Sequence, residues 1–234
     1  MNEKKKIVWI TGASSGIGKA ISEEFVANGI CVAGTSRRIE LLNELKNNLG
    51  ELFIPFILNV ADKFNVEALY KKISEEYEIE TLINNAGITS FKKVIDDNIE
   101  TMEQIIQTNL LGSIYTIKNV LPEMIERKSG TIINILSVVT QKIFTSSSAY
   151  SASKSGLLSF TKVLREELRD KNIRVINISP GPTATEIWQE KTLSKFSERM
   201  MRPEAIAKLV YRIYTEKSNL VAEEIVLSPI TGEL

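Results

Sequence analysis

Short runs of β-branched and other apolar residues alternate along the chain with longer stretches in which apolar positions recur every three or four residues. The first pattern predicts strands and the second amphipathic helices. Candidate strands are Ile7–Thr11, Ile30–Gly34, Phe53–Leu58, Thr81–Asn84, Gly130–Leu136, Arg174–Ile178 and Glu224–Leu227. Candidate helices are Gly18–Asn28, Ile39–Leu49, Lys63–Tyr77, Ile99–Arg127, Ala149–Asp170 and Pro203–Glu216. Strict alternation of the two predicts an α/β fold, a Rossmann-type doubly wound parallel sheet of about seven strands with helices on both faces. No internal repeat, low-complexity tract or Pro/Gly/Ser linker divides the chain, so residues 1–234 are expected to form one domain. The least regular stretch, 182–202, follows a strand end, where ligands bind in open α/β sheets, and is expected to cover a substrate.

Composition narrows the chemistry. With 234 residues, 43% of them apolar, the chain can bury one large core. Its 29 basic and 29 acidic residues cancel, which gives no electrostatic reason to expect nucleic acid or an anionic membrane as partner. Small molecules are the expected partners. Lys4, Lys5 and Lys6 precede only a short apolar run, Ile7 to Ile10, too brief for a secretory signal. No segment approaches the roughly 20 apolar residues that a membrane helix needs. The lone Cys31 fits a reducing compartment, so a cytoplasmic location is expected. The sequence has no histidine, which removes Ser-His and Cys-His catalysis and the commonest transition-metal ligand. No metal site is expected, and proton transfer falls to Tyr, Lys, Asp or Glu.

Thr11-Gly12-Ala13-Ser14-Ser15-Gly16-Ile17-Gly18 joins the first candidate strand to the first helix. There the backbone N–H groups and helix dipole can hold a pyrophosphate, although a glycine-rich turn can equally be a plain connection. The spacing departs from G-x-G-x-x-G. Past the second strand, where an NAD site presents a carboxylate to the ribose 2′-hydroxyl, this chain has Thr35-Ser36-Arg37-Arg38. A guanidinium pairs with a 2′-phosphate that a carboxylate would repel. NADP(H) is therefore favoured over NAD(H), the alternative being two solvated arginines at a helix start.

Tyr150 and Lys154 stand four apart in a helical stretch, which puts them on one face, and no other tyrosine has lysine at that spacing. A phenol is a poor acid-base group at neutral pH until positive charge favours its phenolate. Lys154 supplies such a charge. Ser137, after the fifth strand, could hydrogen-bond a substrate oxygen. Asn109, in mid-helix, is expected to bind backbone or water. Singly, each of these residues also has an ordinary structural reading.

In combination, and over nearly the whole chain from Ile7 to about Leu227, the segments resemble the short-chain dehydrogenase/reductase family. That family's T-G-x-x-x-G-x-G turn matches Thr11 to Gly18, and its N-N-A-G segment is Asn84-Asn85-Ala86-Gly87. Its catalytic Asn, Ser, Tyr and Lys fall on Asn109, Ser137, Tyr150 and Lys154, and its P-G turn on Pro180-Gly181. The resemblance implies NADP(H) held by Gly12, Ser14, Ser15, Gly16, Ile17, Gly18, Arg37, Arg38, Asn59, Val60, Asn85, Ala86, Gly87, Tyr150, Lys154, Pro180, Gly181, Thr183 and Thr185. It also implies hydride transfer to a ketone or aldehyde, with Tyr150 donating a proton and Ser137 positioning the oxygen. Lys154 would tune Tyr150, and Asn109 would hold a water that connects Lys154 to solvent. Asn59-Val60 departs from the usual Asp-Val, and Thr183 stands where Val or Ile is common. Glu224 to Pro229 lacks the N-G-G of many fatty-acid reductases.

Candidate substrate contacts are Ser137, Val139, Phe144, Ile187 and Trp188, with Val138 and Ile143 as further wall residues. A second enzymatic reading is 3-oxoacyl-[acyl-carrier-protein] reduction, with Arg127, Lys128 and Lys171 docking an acidic carrier; the same charges serve as solvated helix caps. A third, from a different class, is an NADP-sensing protein without turnover, which would need the cofactor turn and not the other four residues. Similarity to the family further implies a homo-oligomer, dimer or tetramer, built on the two long helices.

Overall fold

The computed structural model describes residues 4–216 and 218–232. Positions 1–3, 217 and 233–234 of the expected 1–234 domain lie outside the described residues. Strands β1 (Lys5–Thr11), β2 (Val32–Ser36), β3 (Phe53–Ile57), β4 (Tyr77–Asn84), β5 (Gly130–Ile135), β6 (Ile173–Pro180) and β7 (Glu224–Leu227) form one sheet. Its order is β3-β2-β1-β4-β5-β6-β7, and every pairing is parallel. The chain starts at the centre, winds to one edge and then to the other, the doubly wound arrangement expected from the alternation.

The helices are α1 (Gly16–Ala27), α2 (Ile39–Leu49), α3 (Lys63–Glu76), α4 (Ile99–Ile106), α5 (Gly112–Arg127), α6 (Ser148–Glu167), α7 (Glu190–Phe196) and α8 (Pro203–Thr215). Successive side chains of a strand point to opposite faces, and β1 divides accordingly. Val8 and Ile10 face a core with Phe25 of α1, Leu42 of α2 and Val210 of α8. Ile7 and Trp9 face the other core with Ile73 of α3, Val120 of α5 and Leu164 of α6. Both faces are thus covered, which is why the central strands read as unbroken apolar runs. No described helix is long and apolar enough to cross a membrane.

Three departures from the expected elements have local causes. β2 begins at Val32 and not Ile30, because Gly29 (φ +78°) turns the chain and the N–H of Ile30 closes back onto the carbonyl of Phe25. β4 begins at Tyr77, the residue that was to end a helix, and its pairing with β1 shifts register between Ile7 and Val8. The bulge hides the strand's opening from a simple alternation test. The single helix expected over Ile99–Arg127 is broken by a wide π turn at Gln107–Leu111. The stretch 182–202, expected to be irregular, contains α7.

Candidate active site

The site lies at the carboxyl edge of the central strands, between the loops that leave β1, β4, β5 and β6. A cleft of about 910 Å³ runs from the glycine turn to the segment after β6. Of the residues expected in the sequence to contact cofactor or substrate or to act in catalysis, all line it except Gly18, Asn109 and Ile143.

The turn is held by shape. Gly12 has φ +68°, open to glycine and costly for other residues, and a Cβ there would stand 2.8 Å from Ala86 Cα. Gly18 sits behind the turn, where a Cβ would fall 2.3 Å from both Asn85 Nδ2 and the Gly12 oxygen. The N-N-A-G segment is the matching latch. Asn85 Nδ2 donates to the carbonyls of Thr11 (3.0 Å) and Gly12 (3.1 Å), while Thr11 Oγ1 accepts from the backbone N–H of Asn85 and of Ala86. The outcome is a rigid concave loop that feeds the N-terminus of α1, and Ser15 there leaves the helix uncapped by its side chain.

The two arginines behave differently. Arg38 folds over the turn, its Nη2 donating to Ser14 Oγ (2.9 Å) and Ser15 Oγ (2.6 Å). Ser36 joins the cluster by donating to Ser14 Oγ at 2.9 Å. Arg37 lines the cleft and is exposed. Asn59 Oδ1 accepts from the N–H of Ala61, a turn contact, and buried Val60 packs where a Cβ on Gly112 would meet it at 2.9 Å.

Tyr150 and Lys154 are one turn apart on α6. The Lys154 ammonium, 4% exposed, donates to the Ile135 carbonyl at the end of β5 (2.7 Å) and lies 5.9 Å from the centre of the Tyr150 ring. Burial without a carboxylate partner pushes its pKa down to about 8. Burial pushes the Tyr150 phenol up, against which a hydrogen bond with the Ser137 side chain works to hold it down. Ser137 Oγ also accepts from the N–H of Val139, which fixes it at the strand end.

Asn109 does not reach the cleft. Its carboxamide accepts from the N–H of Ile88 (2.9 Å) and donates to the carbonyl of Ile88 (2.9 Å) and to Ser153 Oγ (3.0 Å), so it ties the loop after β4 to α6 from behind. The π turn places it there, and Gly87 lies alongside, where a Cβ would stand in ordinary contact with Asn109 Oδ1 (3.4 Å) and Lys154 Nζ (3.6 Å).

After β6, Gly181 N–H donates to the carbonyl of Leu227 and Thr183 Oγ1 to that of Gly181, so the P-G turn is pinned to the sheet edge. Thr185 crosses to the glycine turn, 3.1 Å from where a Cβ on Gly16 would be. Val138, Val139, Phe144, Ile187 and Trp188 line the far end. Ile143 is 99% exposed and points away, a correction to its expected place in the wall: apolar character in a loop does not reveal which way the loop turns. Phe91, missed in the sequence, stacks on Trp188 with ring centres 5.1 Å apart. Its only signal was an aromatic residue in the loop after a strand end. Ser36, Ser147 and Glu186 also line the cleft without having been singled out.

The family model described as short chain dehydrogenase matches residues 6–195. An uncharacterized oxidoreductase of Staphylococcus saprophyticus is 32% identical over 230 residues, covering 96% of this chain and 97% of that protein. A 3-oxoacyl-[acyl-carrier-protein] reductase of Thermotoga maritima is 31% identical over 238 residues, covering 97% of each. Among solved structures, a closed form of serine dehydrogenase complexed with NADP+ superposes with a TM-score of 0.92 at 30% identity, covering 97% of this chain and 96% of that one. The glycine turn with its Asn85 latch, and the Tyr150–Lys154 pair beside Ser137, thus stand in a chain that belongs to the short chain dehydrogenase family of oxidoreductases.

Proposed function

We propose that the protein is an NADP(H)-dependent oxidoreductase that interconverts a ketone or aldehyde and its alcohol, with Tyr150 as the proton donor in the reductive direction. The observation that carries this reading is the Tyr150 phenol, one helical turn from buried Lys154 and in the same cleft as Ser137 and the glycine turn. A dinucleotide fits the residues present. The turn leaves backbone N–H groups free at the start of α1, and Arg38 with Ser14 and Ser15 makes a cationic, donor-rich corner suited to a 2′-phosphate. Arg37 lies beside it. NADP+ in the similar serine dehydrogenase structure supports the same choice.

When bound, the cofactor supplies a hydride to the carbonyl carbon or takes one from the alcohol. Tyr150, protonated at neutral pH, gives its proton to the carbonyl oxygen, so each turnover transfers one hydride and one proton. Ser137 donates to that oxygen and shares its developing charge. Lys154 brings positive charge near the phenol and stabilises the phenolate left behind. Asn109 is a positioning residue that holds Ile88 and Ser153.

NADPH consumption with a panel of ketones and aldehydes, with the alcohol products identified, tests the reading. Turnover with NADPH exceeding that with NADH is the expected result; cofactor binding without turnover on any carbonyl or alcohol would favour a sensor. The acyl-carrier reading draws on the Thermotoga maritima similarity. Two of its three docking cations are otherwise engaged: Arg127 donates to the carbonyls of Ser129 and Ile79, and Lys171 pairs with Asp170.

A further inference from the structure

The cleft is electrically lopsided. Arg37 and Arg38 stand at the glycine turn, and Glu186 reaches over it, with its carboxylate 3.7 Å from where a Cβ on Gly16 would be. Lys154 lies on the floor, committed to the Ile135 carbonyl. The opposite end is walled by Phe91, Val139, Phe144, Ile187, Trp188 and Phe196. Among the described residues that line that end there is no Lys, Arg, Asp or Glu.

The polar groups at that end are hydroxyls. Beyond Ser137 and Tyr150 the notable one is Ser147, only 7% exposed, whose side chain does not cap the helix it precedes and so remains free toward the cleft. Trp188 has its indole N–H satisfied by the carbonyl of Thr183 at 3.0 Å, and its ring lies nearly parallel to Phe91, 13° apart. The pair makes a flat aromatic wall that joins the loop after β4 to the segment after β6. The N-terminus of α6 offers no substitute for a cation, because Ser148 and Ala149 do not line the cleft.

We propose that the substrate is a neutral ketone with an aromatic or branched apolar group on one side of its carbonyl and no carboxylate beside it. The proposal rests on the carbonyl–alcohol reading above and narrows it. A carboxylate carried into this end would meet an apolar wall and find no ion partner. An apolar flank would instead be buried against Phe91 and Trp188, and a neutral ester, amide or hydroxyl could still bond Ser147. This sets the chain apart in substrate charge from the serine dehydrogenase it resembles in fold.

The test measures NADPH-dependent kcat/KM on two pairs, each a carboxylate and its neutral ethyl ester: phenylglyoxylate with its ethyl ester, and acetoacetate with its ethyl ester. Each ester is expected to exceed its acid by at least about tenfold, and the aromatic ester to exceed the small one by about tenfold. In Trp188→Ala the advantage of the aromatic ester should shrink to about twofold, as the flat wall is lost. Acids turned over as well as their esters would overturn the neutral-substrate proposal, and an undiminished aromatic preference in Trp188→Ala would overturn the wall. No NADPH consumption with any of the four, together with no oxidation of simple alcohols by NADP+, would instead overturn the oxidoreductase reading beneath it.

Discussion

At the scale of single residues, two buried groups on one helix face are displaced in ways that have measurable consequences. Tyr150 holds its proton above the ordinary phenol range in the cofactor-free protein, so at neutral pH it is in the protonated form that reduction needs. Alcohol oxidation needs the phenolate. The rate of oxidation by NADP+ should therefore climb from pH 7 to 10 while reduction by NADPH, which starts from the protonated phenol, holds nearly level, a pair of profiles read from initial rates. Lys154 is displaced the other way, to about 8 from the usual 10.5. The unfolded chain thus binds more protons than the folded one between those values, and the burden of a buried ammonium on stability, full below pH 8, is relieved as pH rises toward 10.5. Urea unfolding of cofactor-free protein at pH 7.5 and 10 should show wild type gaining on Lys154→Met by on the order of 2 kcal/mol. An unchanged difference between the two proteins would mean that the lysine is not buried as an ammonium.

At the scale of elements, the turn after β1 is rigid because the loop after β4 is fitted to it. Gly18→Ala would drive a methyl to 2.3 Å from the Asn85 amide and the Gly12 carbonyl. The expected outcome is a loss of about 1–3 kcal/mol in denaturant unfolding, with NADPH binding weakened beyond what the stability loss explains. Such local fits were legible in the sequence, because Gly12 to Gly18 and the pair Tyr150–Lys154 are defined by short spacings. Features that depend on distant partners were not. Asn84, Asn134 and Asn177 stand in register across β4, β5 and β6 and bond side chain to side chain at 3.1 and 3.2 Å, with Thr116 and Thr161 closing the ends of the ladder. Each reads alone as an odd polar residue in an apolar strand. The π turn that aims Asn109 at Ile88, the register shift that opens β4, and the direction of the loop that exposes Ile143 and seats Phe91 are likewise set by tertiary packing.

At the scale of the whole molecule, the two cores and the seven-strand order followed from alternation, since a sheet covered on both faces must draw apolar strands and amphipathic helices in turn. The cleft proposed to hold the cofactor lies between loops from both halves of the sheet, so the cofactor should stabilise the chain globally. At about 100 times the dissociation constant the gain is about 2.7 kcal/mol, or about 5–10 °C in Tm for a chain of this size. At equal concentrations NADPH should raise Tm more than NADH, and Arg38→Ala should erase most of that difference; equal shifts by the two cofactors in wild type would contradict the 2′-phosphate corner at Ser14, Ser15 and Arg38.

Tyr150→Phe isolates the phenol's part in the reaction, because the ring in the cleft is retained and only the hydroxyl is lost. With a ketone that the wild type reduces, and with NADPH binding checked by the Tm shift, the variant is expected to bind the cofactor normally and to lose about 10²–10⁴-fold in kcat. Near-normal turnover by a variant that binds NADPH would contradict the assignment of Tyr150 as the proton donor.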